Sequence, residues 1–257
     1  MRTTPTMTAV FADSLLVFER YARQTLRSRI NLIFGLIQPM LFLGFFGPLL
    51  RDVPLGREGD SWQILVPGLL VQLALFSSAF AGFGILIEKQ HGIMERMRVT
   101  PVSRTALLLG RTLRDVALLV VQSLILVLAG VAFGLRAPVL GVLIGFVLVA
   151  VLAASLASLS YAFAMRVNSP QEFAPVINSI NLPAMLLSGI LLPMALAPTW
   201  LDVISHFIPF RYLVDGVRAA FVGDYGDSAL ATGALAALLL SAASLTLGIR
   251  LFRRAGA

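Results

Sequence analysis

The sequence predicts an all-α polytopic membrane protein with six transmembrane helices, and three observations lead to this fold class. Hydrophobic residues make up 58% of the 257 residues and charged residues only 13%, whereas soluble domains carry about 25% charged residues. The mean hydropathy is +0.89. Six apolar runs, each at least as long as the about 20 residues that cross a bilayer, alternate with charged segments.

The segment before the first apolar run predicts an amphipathic helix at residues 9–29. Its apolar side chains recur near helical spacing: Phe11, Leu15, Phe18, Ala22 and Leu26. Charged side chains fall on the other faces: Glu19, Arg20, Arg23 and Arg27. A basic amphipathic helix beside a span usually lies among the lipid headgroups, so we expect an interfacial helix. The alternative is a cytoplasmic extension of the first span. We expect no cleavable signal peptide.

The apolar runs predict spans at residues 30–50, 62–87, 116–135, 138–165, 173–193 and 228–250. With a cytoplasmic N-terminus, only five of the 20 basic residues fall on the outer side: Arg51, Arg57, Arg136, Arg211 and Arg218. Because cytoplasmic loops are enriched in Lys and Arg, we expect both termini on the cytoplasmic side. The same bias accounts for the net charge of +7 without nucleic acid as a partner.

Residues 194–227 predict a re-entrant helical hairpin on the outer side, between the fifth and sixth spans. Three prolines interrupt this region: Pro193, Pro198 and Pro209. Proline breaks helices, and irregular backbone at membrane depth is tolerated only where protein buries it or it lines a wet cavity. We therefore expect two short helices that dip into the outer leaflet. Asp202 with His206, and Asp215 with Arg218, have spacings that allow pairing on one helix face.

The sequence lacks the motifs of common enzymes and metal sites. It contains no phosphate-binding Gly-x-x-x-x-Gly-Lys-Ser/Thr motif, and Lys89 is its single lysine. It has no cysteine, and its two histidines, His91 and His206, fall on opposite sides of the predicted membrane, which argues against metal sites and catalytic triads. No Gly-x-Ser-x-Gly elbow occurs. We predict a non-enzymatic chain with no catalytic residue, no metal and no cofactor of its own.

Polar residues inside the predicted spans are uncharged amides and hydroxyls. Proton-driven transporters usually need buried Asp, Glu or His, so this pattern favours an energy source outside the membrane. Four amides are candidates for a substrate pathway: Gln38, Gln72, Asn178 and Asn181. The two asparagines lie between Pro175 and Pro183, where a loosened helix could expose carbonyl groups. Hydrogen bonds between helices are the alternative for most of these residues.

Residues 88–104 form a charged segment between two apolar runs. The segment is Glu-Lys-Gln-His-Gly-Ile-Met-Glu-Arg-Met-Arg-Val-Thr-Pro-Val-Ser-Arg. Gly92 allows a turn, residues 93–98 can form a short helix with a methionine face, and Thr100 before Pro101 ends it. Such a helix suits a groove on another protein. The alternative is a solvated basic loop that only sets topology.

This segment resembles the cytoplasmic loop of ABC-2 type permeases, especially the daunorubicin-resistance branch of multidrug and lipid exporters. The pattern of that family is an acidic residue, Gly-Thr, Leu-Glu-Arg-Leu and, after a gap, Thr-Pro. The matching positions are Glu88, Gly92, Glu95, Arg96, Thr100 and Pro101. Ile93, Met94 and Met97 stand where the family has Thr, Leu and Leu. The outer proline-rich segment is also similar to that of the family and ends in Asp-x-x-Arg, here Asp215 and Arg218.

The resemblance implies that residues 1–257 form one ABC-2 type transmembrane domain, the permease subunit of an exporter in the bacterial cytoplasmic membrane. A separate ABC ATPase would bind ATP and Mg and dock on the coupling loop at residues 88–104. Two permeases, identical or related, would associate among membrane lipids. The implied coupling residues are Glu88, Gly92, Met94, Glu95, Arg96, Arg98, Thr100 and Pro101. The implied outer gate comprises Pro193, Pro209, Asp215 and Arg218.

The expected cargo is a hydrophobic or amphipathic small molecule or a lipid, moved outward. The spans carry many Phe but almost no Trp or Tyr, and sugar chains favour stacking on aromatic rings. A polysaccharide or lipid-linked glycan exporter of the same fold is the alternative. An ATP-independent carrier and a membrane scaffold are alternatives of other classes. A scaffold predicts that scrambling residues 88–104 leaves transport intact.

Overall fold

The computed structural model describes residues 7–27, 29–50, 61–92, 104–191 and 193–254. Within these ranges the regular structure is helical and no strand occurs, as predicted. The helices are α1 Met7–Arg27, α2 Arg29–Leu50, α3 Ser61–Ala79, α4 Phe83–Gln90, α5 Arg104–Phe133, α6 Val139–Ala164, α7 Pro170–Leu187, α8 Thr199–Ser205, α9 Pro209–Val222 and α10 Ser228–Arg254. A short 3₁₀ helix, Met194–Leu196, precedes α8.

Four described segments are long and apolar enough to cross a membrane: Ser61–Gln90, Thr105–Phe133, Val139–Ala164 and Ser228–Gly248. They correspond to the predicted second, third, fourth and sixth spans. The predicted first span contains a shorter apolar helix, Gly35–Leu50, and the predicted fifth span contains α7. The count of six spans therefore stays a prediction.

Helix α3 lies at the centre of the bundle. Sixteen of its 19 residues are buried, and it packs against α2, α5, α6, α7 and α9. A helix that is hydrophobic on all sides is stable only where protein or lipid surrounds it. Two glycines allow the closest approaches in the bundle. A Cβ at Gly68 would lie 2.0 Å from the carbonyl oxygen of Ile190, and a Cβ at Gly141 would lie 1.9 Å from that of Ala220.

The second predicted span is not one straight helix, because a turn at residues 80–82 separates α3 from α4. Ser160 of α6 holds this turn: its hydroxyl donates to the carbonyl of Ala79 and accepts from the amide of Gly82 at 2.8 Å. A Cβ at Gly82 would lie 2.4 Å from the carbonyl oxygen of Ser160. Helix α4 then continues to Gln90 and so contains the first three residues of the predicted coupling loop.

The bundle has two ends with different contacts. The loop end joins α1, α4, the start of α5 and the residues after α6, for example through a contact between Tyr21 and Glu88. The hairpin end joins α9 to the starts of α3 and α6, for example through Arg218 and Ile64. The predicted inner and outer segments thus lie at opposite ends of one bundle.

Helix α1 packs on α5 through a stripe of residues that differs from the apolar face predicted for it. Ser14, Val17 and Tyr21 are buried, and a Cβ at Gly110 would lie 2.7 Å from both the Ser14 carbonyl oxygen and the Val17 side chain. Phe11 is 68% exposed and belongs to the predicted face. Leu15, on the same face, is also exposed. These two side chains are therefore free to contact lipid, while the interfacial position of α1 stays a prediction.

Candidate functional site

Three side chains from three helices meet at the loop end: Tyr21 of α1, Glu88 of α4 and Arg111 of α5. We call them the Tyr21–Glu88–Arg111 cluster. The Tyr21 hydroxyl donates to Oε1 of Glu88 at 3.0 Å. Nη2 of Arg111 donates to the Tyr21 hydroxyl at 2.6 Å and also to Oε2 of Glu88. Each of the three groups therefore contacts the other two.

Because of its burial, this cluster is more sensitive to the loss of one member than a surface ion pair is. The Arg111 side chain is 3% exposed and that of Glu88 is 16% exposed. An exposed ion pair contributes about 0–1 kcal/mol, whereas removing one partner of a buried pair costs about 3–5 kcal/mol. The guanidinium carbon of Arg111 also lies 4.7 Å from the centroid of the Tyr21 ring, within the range of a cation–π contact. The cluster thus holds α1, α4 and α5 together.

Tyr21 is a neutral hydrogen-bond donor in this setting. Burial raises the pKa of Tyr21 to about 12; Arg111 opposes this rise and Glu88 adds to it. The phenol therefore stays protonated at physiological pH, and its proton remains available for Glu88.

The same helix face of α5 reaches α6. Arg111 and Asp115 are one turn apart, so they lie on one face of α5. The Tyr161 hydroxyl of α6 donates to Oδ2 of Asp115, and Nη1 of Arg114 lies 3.0 Å from Oδ1. Asp115 and Tyr161 are both buried. Side chains within two turns of α5 therefore contact α1, α4 and α6.

Lys89 adds a link from α4 to the end of α6. Its Nζ donates to the carbonyl of Val167 at 2.9 Å and to that of Met165 at 3.4 Å. Carbonyl groups at the C-terminal end of a helix lack amide partners within the helix, and a lysine side chain can donate hydrogen bonds to them. The first two residues of the predicted coupling loop, Glu88 and Lys89, thus contact three neighbouring elements.

The predicted coupling residues divide between described and undescribed parts of the chain. Glu88 lies in the cluster, half-buried, and has its partners within the chain. Gly92 has φ +66°, a left-handed conformation that glycine adopts without strain, and it makes the predicted turn after α4. The other residues implied by the resemblance lie outside the described ranges: Met94, Glu95, Arg96, Arg98, Thr100 and Pro101.

Sequence reasoning missed most of the cluster and its neighbours. Tyr21, Asp115 and Tyr161 were not among the predicted site residues. Arg111 was only one of the basic residues that the predicted topology places on the cytoplasmic side. The predicted third span began at residue 116, which left Arg111 and Asp115 outside the span, whereas α5 begins at Arg104 and both side chains are buried in it. The available signal was the spacing of Arg111 and Asp115, which places opposite charges one turn apart at the start of an apolar helix.

At the hairpin end, Arg218 is the central residue of the predicted outer gate. It is 3% exposed, and its Nε donates to the Ile64 carbonyl at 3.1 Å. Its Nη2 donates to the carbonyls of Gly189 and Ile190 at 2.8 and 3.1 Å. Arg218 thus joins α9 to the start of α3 and to the residues after α7.

The charged pairs predicted in this region are present at the limit of contact. His206 lies 3.9 Å from Asp202, and Arg218 lies 3.9 Å from Asp215. The shorter ion pair connects two helices: Nη1 of Arg211 in α9 lies 2.7 Å from Oδ1 of Asp202 in α8. Sequence spacing could not reveal this pair, because it depends on how α8 and α9 cross.

The two gate prolines lie at helix starts. Pro193 directly precedes the 3₁₀ helix, and Pro209 is the first residue of α9. The first position of a helix suits proline, because an amide there has no partner within the helix. Both residues therefore set where helices begin in the hairpin.

The four predicted pathway amides do not share one site. Gln38 and Gln72 line a cavity of about 220 Å³ between α2, α3 and α5, together with Gln122. Asn181 is buried and donates from Nδ2 to the Leu75 carbonyl at 3.3 Å, which is the interhelical hydrogen bond named as the alternative. Asn178 is exposed on another face of α7.

Known proteins match most of the chain. Residues 14–222 match the family model described as ABC-2 type transporter. The ycf38 protein of Cyanophora paradoxa, which is named as a transport permease, is 28% identical over 214 residues, 81% of this chain and 74% of that protein. The daunorubicin resistance ABC transporter permease protein DrrB1 of Streptomyces coeruleorubidus is 25% identical over 232 residues, 89% of this chain and 81% of that protein.

Proposed function

The chain belongs to the ABC-2 type transporter family, and on that premise we propose that it is the permease subunit of an ATP-driven exporter. It is an integral membrane transport permease, and its family implies association with an ABC ATPase. In our proposal that ATPase is a separate subunit that binds ATP and Mg. The permease moves a hydrophobic or amphipathic molecule outward.

The Tyr21–Glu88–Arg111 cluster is the observation that supports this proposal most directly. It lies where the predicted coupling loop leaves α4, and Lys89 beside it contacts the end of α6. Packed side chains, hydrogen-bond networks and rigid helices can carry energetic coupling between distant sites. A displacement of the loop by an ATPase can therefore reach α1, α5 and α6 through buried, charge-assisted contacts.

Different residues then have different roles at this loop. We propose that Glu95, Arg96 and Arg98 contact the ATPase directly, with Met94 as an apolar anchor. Gly92 provides the turn, and Thr100 with Pro101 ends the short coupling helix. Glu88 is a positioning residue, because its partners belong to its own chain.

Two permease chains, identical or related, form the transporter in the bacterial cytoplasmic membrane, with both termini on the cytoplasmic side. The cargo passes between them. The hairpin around Pro193, Pro209, Asp215 and Arg218 gates release at the outer face. The contacts of Arg218 with the start of α3 and the end of α7 support this role, because movement of either helix must break or carry them.

The cargo is proposed from the chemistry of the spans. Apolar helices with amide and hydroxyl groups near their middle suit a drug-like molecule or a lipid better than an ion. The name of DrrB1 connects that relative to daunorubicin resistance. A glycan exporter is the second candidate in the same fold; an ATP-independent carrier and a scaffold are candidates of other classes.

The test co-expresses the chain with an ABC ATPase encoded beside it and measures co-purification and ATP hydrolysis. We expect the wild-type pair to co-purify, and Glu95→Arg or Arg96→Glu to dissociate or uncouple it. Asp224→Arg is the control, since Asp224 is an exposed acid at the hairpin end. If nothing co-purifies, or if the loop reversals behave like the control, the exporter proposal is wrong.

A further inference from the structure

The cavity between α2, α3 and α5 lies at the middle of the membrane-crossing helices. Gln72 is near the centre of the span Ser61–Gln90, and Gln122 is near the centre of Thr105–Phe133. Gln72 and Gln122 are buried, whereas Gln38 of α2 is exposed. The cavity of about 220 Å³ therefore has a closed polar floor and an open side at α2.

One polar atom on this floor needs a hydrogen-bond donor. Gln72 is 1% exposed, it lines the cavity, and its Oε1 accepts no hydrogen bond from any described residue. Buried polar atoms nearly always have a partner, and an unmet acceptor inside a low-dielectric region is costly. A ligand hydroxyl or amide N–H that reaches the carboxamide of Gln72 would satisfy Oε1.

The other walls define the rest of the ligand. Leu73, Phe76 and Leu118 provide apolar surface, and none of the described lining residues carries a charge. Binding a charged group here would leave it without a counterion, which is strongly unfavourable at this depth. The cavity therefore suits an uncharged molecule with an apolar body.

The absence of a side chain at Gly35 lets α2 approach the glutamines. A Cβ at Gly35 would lie 2.4 Å from Nε2 of Gln122. The glycine thus keeps the Gln122 amide at the cavity wall, close to α2. Two buried glutamines, one from α3 and one from α5, therefore line the cavity.

We propose that this cavity is a ligand subsite for the hydroxyl- or amide-bearing end of an uncharged amphipathic molecule, with Gln72 as the acceptor that recognises it. This inference rests on the proposed transport function and names the chemical class of its cargo. The apolar body of the ligand packs against Phe76, Leu73 and Leu118, and the open side at Gln38 provides entry.

The test measures binding of two probes to the full chain in lipid nanodiscs by equilibrium dialysis, with empty nanodiscs as the baseline. The probes are β-naphthol and its methyl ether, which share one apolar body but differ in the donor hydroxyl. The variants are Gln72→Met, which keeps the side-chain shape without the acceptor, and Leu118→Phe, which fills the apolar side. Gln171→Met is the control, because Gln171 is exposed at the start of α7.

We expect the wild type and Gln171→Met to bind the naphthol roughly tenfold more tightly than the ether, the effect of one buried hydrogen bond. Gln72→Met should lose this preference, and Leu118→Phe should weaken both probes alike. Equal binding of the two probes by the wild type, or a preference that survives in Gln72→Met, would show that Gln72 does not recognise the donor. No binding above baseline would show that the cavity is not a ligand site.

The outcome is separable from that of the proposed function, because dialysis needs no ATPase. If the wild type shows no preference for the naphthol but couples to the ATPase, the subsite proposal is wrong and the exporter proposal stands. Intact probe recognition with no co-purifying ATPase would leave a binding site in a protein that is not an ATP-driven permease.

Discussion

Arg111 lies over the ring of Tyr21, with 4.7 Å between its guanidinium carbon and the ring centroid, and donates a hydrogen bond of 2.6 Å to the hydroxyl of the same residue. The arginine therefore contacts both the apolar and the polar part of the tyrosine while it neutralises Glu88. Helix α1 is therefore joined to the bundle by the same residue that contacts Glu88, the first residue of the predicted coupling loop.

Removing Arg111 should destabilise the protein far more than removing an exposed arginine. Arg111→Leu leaves the Glu88 carboxylate half-buried without its counterion, and we expect a loss of about 3–5 kcal/mol in the free energy of unfolding. Arg23→Leu is the control, because Arg23 forms an exposed pair with Glu19 one turn away, worth about 0.3–0.5 kcal/mol. Thermal unfolding in detergent measures both, and similar losses would contradict a structural role of the cluster.

The Tyr21 phenol should add stability that is constant near neutral pH. The folded pKa of about 12 lies above the unfolded value of about 10, so the contribution is fully present below pH of about 10. It is lost as the pH rises toward about 12, because the unfolded chain releases the proton first. Unfolding of wild type and Tyr21→Phe across this range measures the difference, and a decline that begins at neutral pH would refute the assignment.

Two glycine-to-alanine substitutions should differ in their effect on the free energy of unfolding. Gly68→Ala places a methyl group 2.0 Å from the Ile190 carbonyl oxygen, and a backbone atom cannot yield without moving a helix, so we expect a loss of about 1–3 kcal/mol. Gly44→Ala meets nothing within 4 Å and should be neutral or gain up to about 1 kcal/mol, because alanine favours the helix. Melting temperatures of the two variants test this, and equal shifts would speak against the close packing of α3.

Replacing Arg218 by lysine should weaken the hairpin end even though the charge is kept. Lysine is a single flexible donor group and cannot reproduce the fork that reaches three carbonyls on two segments. We expect a loss of about 2 kcal/mol in stability and faster proteolysis within residues 194–227. Arg136→Lys, at an exposed arginine of the same end, is the control. Unchanged stability of Arg218→Lys would mean that the carbonyl contacts are replaceable.

Helix α1 shows how far the sequence pattern carries and where it stops. The periodic apolar residues predicted a helix here, and a helix is present. The buried stripe is nevertheless Ser14, Val17 and Tyr21. Ser14 and Val17 pack against Gly110 of α5, and Tyr21 contacts Arg111 of the same helix. Hydrophobic periodicity predicts which face of a helix avoids water. It does not predict whether that face contacts lipid or protein, because both are apolar surroundings.

The sequence by itself determined the all-helical membrane architecture and the family, because these depend on composition, run length and short motifs read along the chain. Only the tertiary structure decided that Tyr21, Glu88 and Arg111 form one cluster. It also decided that Gln38 and Gln72 line one cavity, and that Asn178 and Asn181 do not line it. Those groupings depend on the relative rotation and crossing of helices, which side-chain packing sets across residues far apart in the chain.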